Sequence, residues 1–251
     1  MVPAAFAASF LFHVPVALVL LACCLLLAVL TGCAPGEPAA QRTDGEAAIP
    51  AERRIAITFD DGPRRETTER LLDGLAERGA RATFFLIGKQ IEGNEDLAER
   101  MQAEGHQIGS HTWNHVRLLG VTEETIRQEV GQTEAALESL LGGEDYWLRP
   151  PYGAVDAADA ALIGVPMIKW SIDPRDWEKL DAAQVTEAVL EHAAPDQIIL
   201  LHDIYPTSVD AALAIVDALQ AEGYCFVTVE ELLEASGIRP EAGVLYCSGD
   251  T

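Results

Sequence analysis

From residue 54 onward the chain repeats one unit, a short apolar run followed by a longer amphipathic segment, and this repeat limits the folds open to it. The apolar runs are Ile55–Phe59, Ala82–Leu86, His106–Gly109, Tyr146–Leu148, Pro166–Trp170, Ile198–Leu201 and Cys225–Val229. Helical periodicity fills the gaps, at Glu66–Arg78, Glu95–Ala103, Glu123–Leu141, Ala157–Leu162, Ala183–Ala193 and Val209–Ala221, with a last short helix over Glu230–Ala235. Thr122 is placed to cap an acidic first turn, and Gly79, Gly105 and Gly223 to close helices. Strands that alternate with helices predict parallel pairing through crossover connections. A stretch of roughly 185 residues is short for an eight-fold barrel. The expected fold is therefore α/β, a distorted (β/α) barrel with about seven parallel strands in a single domain. A doubly wound open sheet is the alternative. Neither GxGxxG nor GxxxxGK[ST] occurs, which removes the usual nucleotide-binding use of such a sheet.

The polar residues are not scattered over this pattern. Asp60-Asp61-Gly62 follows the first run, and His111 and His115 follow the third. Arg149-Pro150-Pro151-Tyr152-Gly153 follows the fourth, Asp173 and Asp176-Trp177 the fifth, and His202-Asp203 the sixth. All five clusters stand at carboxyl ends of predicted strands, the face on which a parallel barrel builds its active site. Two imidazoles spaced i, i+4 would face one way on a helical turn, and two imidazoles with one carboxylate can hold a catalytic zinc with a position open. Of the adjacent Asp60 and Asp61, one can then ligate while the other serves as a base. Gly62-Pro63 suggests a tight turn that keeps both near the barrel mouth.

Charge excludes one class of partner. The 251 residues carry 40 acidic and 17 basic side chains, a formal charge of −23, and phosphate binding would need the opposite balance. A solvated acidic surface accounts for the excess. Residues 1–32 hold none of those charges, and Val14 to Leu30 is unbroken in its apolar character. Leu30-Thr31-Gly32-Cys33 resembles the lipoprotein box of exported bacterial proteins. The expected division is a signal peptide over 1–32 with Cys33 lipidated, a flexible tether over 33–52 rich in Ala, Pro and Gly, a folded domain over 53–236 and a C-terminal tail over 237–251. The absence of Lys and Arg before the apolar run is atypical of a signal, and an uncleaved membrane helix is the alternative. Either reading puts the folded domain outside the cytoplasm, in the cell envelope. There Cys225 and Cys247 could be bridged or remain two thiols.

Five stretches taken together resemble a known family. Thr58-Phe59-Asp60-Asp61-Gly62, His111-Thr112-Trp113-Asn114-His115, Arg149-Pro150-Pro151-Tyr152-Gly153, Asp173-Pro174-Arg175-Asp176-Trp177 and Leu200-Leu201-His202 look like the five ordered motifs of the polysaccharide deacetylases, carbohydrate esterase family 4. The resemblance runs from about residue 54 to 233. It implies that Asp61, His111 and His115 hold a divalent ion, zinc foremost, with cobalt or another ion as alternatives. It further implies Asp60 as general base, oriented by Arg149, and His202 as general acid, kept charged by Asp176. The backbone N–H of Tyr152 would meet the oxyanion, and Pro151, Tyr152, Trp177 and Leu200 would contact substrate, with Trp177 and Leu200 forming the slot for the acetyl methyl. The implied reaction is removal of N-acetyl groups from a β-1,4-linked N-acetylglucosamine polymer, peptidoglycan or a chitin-type oligosaccharide. An O-acetyl xylan esterase using the same site, or a non-catalytic carbohydrate-binding lipoprotein, are the alternatives. A monomer anchored to a membrane by its N-terminal lipid is expected. His106 reads as structural, His192 as surface, and Trp113 and Trp170 as packing residues.

Overall fold

Strand β1 (Arg54–Asp60) is buried at all seven positions, as a central strand covered on both faces must be. The computed structural model describes residues 53–250, so the signal segment 1–32, Cys33 and the tether 33–52 lie outside the described residues. Among the described residues the chain runs β1, α1 (Arg65–Arg78), β2 (Thr83–Leu86), α2 (Gly88–Ile91), α3 (Glu95–Ala103), β3 (Gln107–Ser110), α4 (Glu123–Leu141), α5 (Ala157–Ala160) and β4 (Met167–Ile168). It continues with α6 (Asp176–Lys179), α7 (Ala182–His192), β5 (Ile198–His202), α8 (Pro206–Ala221), β6 (Cys225–Phe226), α9 (Val229–Ala235) and β7 (Leu245–Tyr246).

The main sheet has the order β3-β2-β1-β5, all parallel, with β6 also paired to β1. Single-residue contacts close the ring. Leu148 bridges Ser110 on one side and Met167 on the other, and Ile172 bridges Ile199. The segment 166–172 thus joins the two edges of the sheet, and the barrel is closed but irregular, which rules out the open-sheet alternative. The run Tyr146–Leu148 contributes only the bridge at Leu148 rather than a regular strand. The segment 237–251, expected as a tail, supplies a strand instead. Within it, β7 pairs in parallel with β4, Met167 opposite Leu245 and Ile168 opposite Tyr246.

Local signals set the helix ends. Thr122 accepts a hydrogen bond from the Thr125 N–H at the start of α4, and Thr228 with Glu231 forms a capping box at α9. Gly79 ends α1 in the left-handed region at φ 59, where a residue without a Cβ meets least resistance.

Between the strands and the helices lies the largest apolar cluster, in which Phe59 and Phe84 stack with centroids 5.2 Å apart. His106 makes a T-shaped contact with Phe84 and accepts a hydrogen bond from the Ala82 N–H at 3.1 Å. Burial lowers its pKa to about 4, so it packs as a neutral ring. His192 is exposed on α7. Cys225 and Cys247 are both free thiols. Phe84→Ala should cost about 3–5 kcal/mol through lost burial and the cavity left behind. The check is a fall in the urea midpoint at unchanged slope; an unchanged midpoint would remove Phe84 from the core that carries the fold.

Candidate active site

Strands β1 and β5 run in register with Asp60 opposite His202, so parallel pairing alone delivers a carboxylate and an imidazole to the same rim. Immediately after β1, Asp61 takes a left-handed conformation (φ 73) ahead of the cis Gly62-Pro63 peptide. That turn swings the Asp61 side chain towards the residues that follow β3. The five polar clusters do converge. Asp60, Asp61, His111, His115, Tyr152, Asp173, Trp177, Leu200 and His202 line one cavity of about 390 Å³.

His111 and His115 are not on a helix, contrary to the i, i+4 reading. They belong to a loop in which Thr112 (φ 65) and His115 (φ 60) are both left-handed, and these reversals bring the rings to 4.9 Å between centroids. Each such residue costs on the order of 1–2 kcal/mol, so the loop has to be held by its surroundings. Glu129, on α4, holds it: one carboxylate oxygen accepts from the Asn114 N–H at 2.8 Å and the other from the Asn114 side-chain amide at 2.9 Å. The Trp113 N–H adds a bond to the Glu129 carbonyl at 2.9 Å. Glu129 escaped the sequence reading, although a signal existed. It is an acid on the buried stripe of α4, together with Ile126, Thr133 and Leu137.

Oδ1 of Asp61 lies 3.6 Å from Nε2 of His111 and 3.4 Å from Nε2 of His115. This oxygen is buried without a hydrogen-bond partner. Around a tetrahedral ion with bonds near 2.0–2.1 Å, donor atoms stand about 3.4 Å apart, so the triad fits a small divalent ion. The tautomer of His111 fits as well. Its Nδ1 lies 2.6 Å from the carbonyl of Arg149, an acceptor, so the proton sits on Nδ1 and the Nε2 lone pair is free for a metal. Burial, opposed by Asp60 and Asp61, pushes the His111 pKa down and keeps it neutral.

Two carboxylates flank the triad and each has its own partner. The guanidinium of Arg149 is wholly buried, donating to Oδ1 of Asp60 at 2.7 Å, to the Thr58 hydroxyl at 2.6 Å and to the Lys169 carbonyl at 2.8 Å. It stacks 4.2 Å from the Phe85 ring centroid. Asp176, fully buried at the start of α6, accepts from Nδ1 of His202 and from its backbone N–H, both at 2.8 Å. Burial disfavours charge on His202, but the Asp176 hydrogen bond, joined by the charges of Asp176, Asp60 and Asp61, outweighs it and raises the imidazole to about 9.

The rim is aromatic. Tyr152, at φ 61 in a 3₁₀ turn over Pro151–Gly153, is 65% exposed with its ring 4.9 Å from that of His115, and Trp177 is 45% exposed. Leu200 is buried at the cavity wall. Pro151, expected at the substrate, is buried and does not line this cavity. Trp170, read as packing, and Tyr205 both line the cavity. Asp203 does not; it is buried behind the site.

Residues 48–163 match the family model described as polysaccharide deacetylase. The chain is 39% identical over 180 residues to the peptidoglycan-N-acetylglucosamine deacetylase PgdA of Listeria monocytogenes, an alignment covering 72% of this chain and 39% of that protein. It therefore spans well under half of that relative's length. A chitooligosaccharide deacetylase of Rhizobium leguminosarum bv. trifolii is 35% identical over 190 residues, covering 69% of this chain and 88% of that one. Among solved structures, a T48 deacetylase with substrate superposes with a TM-score of 0.75 at 40% identity, covering 80% of this chain and 99% of that one. A family 4 acetyl xylan esterase from Clostridium thermocellum in complex with a cobalt ion also gives a TM-score of 0.75, at 28% identity, covering 79% of this chain and all of that one. The chain belongs to the polysaccharide deacetylase family.

Proposed function

We propose that this protein is a metal-dependent hydrolase that removes N-acetyl groups from a β-1,4-linked N-acetylglucosamine polymer, with peptidoglycan as the preferred substrate and chitin-type oligomers next. The observation that carries the reading is the convergence of Asp61, His111 and His115 between two separately wired groups, Asp60 with Arg149 and His202 with Asp176. Asp61, His111 and His115 would hold a divalent ion, which would supply Lewis acidity to lower the pKa of a water and polarise the acetyl carbonyl; zinc suits two imidazoles and a carboxylate, and cobalt or another divalent ion is the alternative.

The remaining steps belong to the chain. Asp60, oriented by Arg149, takes a proton from the attacking water. As the water oxygen bonds to the acyl carbon, the backbone N–H of Tyr152 meets the charge that develops on the carbonyl oxygen. His202 then gives its proton to the sugar nitrogen as the C–N bond breaks, releasing an amine and acetate. Leu200 and Trp177 give the acetyl methyl an apolar wall. An imidazole held protonated by Asp176 suits an amide, whose nitrogen leaves only when protonated. The likeness to an acetyl xylan esterase supports O-deacetylation as the second reading. Acetate release from peptidoglycan, chitin oligomers and acetylxylan decides between the two. Release from acetylxylan alone would overturn the N-deacetylase reading.

We further propose that the chain is exported and anchored through a lipid on Cys33, on the strength of the apolar stretch ending in Leu30-Thr31-Gly32-Cys33. Cys33→Ser should move the protein from the membrane to the soluble fraction, and continued membrane association would favour an uncleaved helix.

For the chemistry, Asp60→Asn should lower kcat by about 10²–10⁴-fold with metal content unchanged. Loss of the metal in that variant would show that the roles of Asp60 and Asp61 are exchanged. The general acid must be protonated, so kcat for amide substrates should fall as pH rises through about 9. Asp176→Asn removes the interactions that favour the charged ring, and the alkaline limb should move to lower pH. An unmoved limb would detach it from His202.

A further inference from the structure

Asp203 is the buried ionisable group that the chemistry above leaves unused. It follows His202, and because Asp60 lies opposite His202 in the β1–β5 register, residue 203 leaves the sheet beside the Asp61-Gly62-Pro63 turn. Its side chain is turned inward and 1% exposed. The Thr68 hydroxyl donates to Oδ2 of Asp203 and itself accepts from the Arg64 N–H at 2.8 Å. This two-bond chain fastens the first turn of α1 to the end of β5. The other carboxylate oxygen, Oδ1, is buried with no partner. Burial raises the carboxyl to about 7 against the opposing pull of Thr68.

The whole carboxylate faces the backbone of residue 62. A Cβ on Gly62 would overlap the Asp203 carboxylate, and Gly62 is not among the residues with positive φ. Conformational freedom therefore does not account for glycine at this position; the close approach of Asp203 does. The turn thus rests on the carboxylate from below, while above it the Ile87 N–H donates to the Gly62 carbonyl at 3.1 Å. Arg64 adds a tie from the turn to the Ile204 carbonyl at 3.1 Å. Asp61 lies in the middle of this arrangement in a left-handed conformation that needs support.

We propose that Asp203 is a positioning residue for the metal-binding carboxylate: packed under Gly62 and tied through Thr68 to Arg64, it fixes the turn that aims Asp61 at His111 and His115. The inference rests on the metal-site reading above, and it assigns Asp203 no contact with substrate.

The test measures the dissociation constants of the full chain for zinc and cobalt alone, by competition with a chromophoric chelator. Asp61→Ala serves as the reference. If Asp61→Ala binds as wild type, the metal-site reading itself is wrong. With Asp61→Ala weakened, Asp203→Ala should raise the dissociation constant about 10–100-fold, the usual cost of losing a group that orients a ligand, and change the visible spectrum of bound cobalt. Asp203→Asn, which keeps the shape and an oxygen for Thr68, should restore affinity. Gly62→Ala should weaken binding in the wild-type background and much less in Asp203→Ala, where space for the methyl has opened. If Asp203→Ala does not fold, Thr68→Val cuts the same chain at its other end and should weaken metal binding in a folded protein. Wild-type affinity and cobalt spectrum in folded Asp203→Ala or in Thr68→Val, or strictly multiplicative effects of Gly62→Ala and Asp203→Ala, would overturn the inference.

Discussion

A fully buried cation organises this site. The Arg149 guanidinium has left water altogether, and such a charge is tolerated only when paired and hydrogen-bonded. Asp60 supplies the opposite charge, while Thr58 and the carbonyl of Lys169 take up further donors. The same residue reaches the Asp61–His111–His115 cluster through its backbone, where its carbonyl fixes the tautomer of His111. Removing the guanidinium would leave Asp60 without its counter-charge, and displacing the peptide would release the ring of His111. The Asp60 carboxylate and the His111 ring are thus set by two ends of one amino acid.

The electrostatics show how one side-chain type is used in different ways. His106, within the apolar cluster, is driven neutral by burial, with its pKa lowered to about 4. His202 is also largely shielded from water, yet its contact with Asp176 and the nearby carboxylates raises it to about 9. His111, between Asp60 and Asp61, is still pushed down because desolvation prevails there. Net charge over the whole chain decides none of this; local partners and the loss of water do.

Much of this architecture was legible because it is periodic or local. The strands β1, β2, β3 and β5 and the helices α3 and α4 follow from apolar spacing, and Thr122 and Gly79 mark helix ends by their own chemistry. The gathering of the polar clusters at one rim followed from parallel pairing, which points every strand the same way. The ring closure was not legible, since bridges one residue long at Leu148 and Ile172 carry no period. The spacing of His111 and His115 suits a helical turn and a looped hairpin equally well, and only the left-handed conformations at Thr112 and His115 distinguish them. Glu129 and the contact made by Asp203 were hidden for a related reason: the partners, Asn114 and Thr68, are distant in sequence, and no local pattern announces a long-range hydrogen bond.

Strand β7 reaches the chemistry through one residue. The Lys169 N–H donates to the Tyr246 carbonyl at 2.7 Å, and the Lys169 carbonyl accepts from Arg149 at 2.8 Å. The last strand among the described residues therefore acts as a buttress on the wall behind the guanidinium, three hydrogen bonds from Asp60. Trimming or rigidly fusing the chain just beyond residue 236 tampers with that wall, so the position of an engineered end bears on how Asp60 is held as well as on convenience.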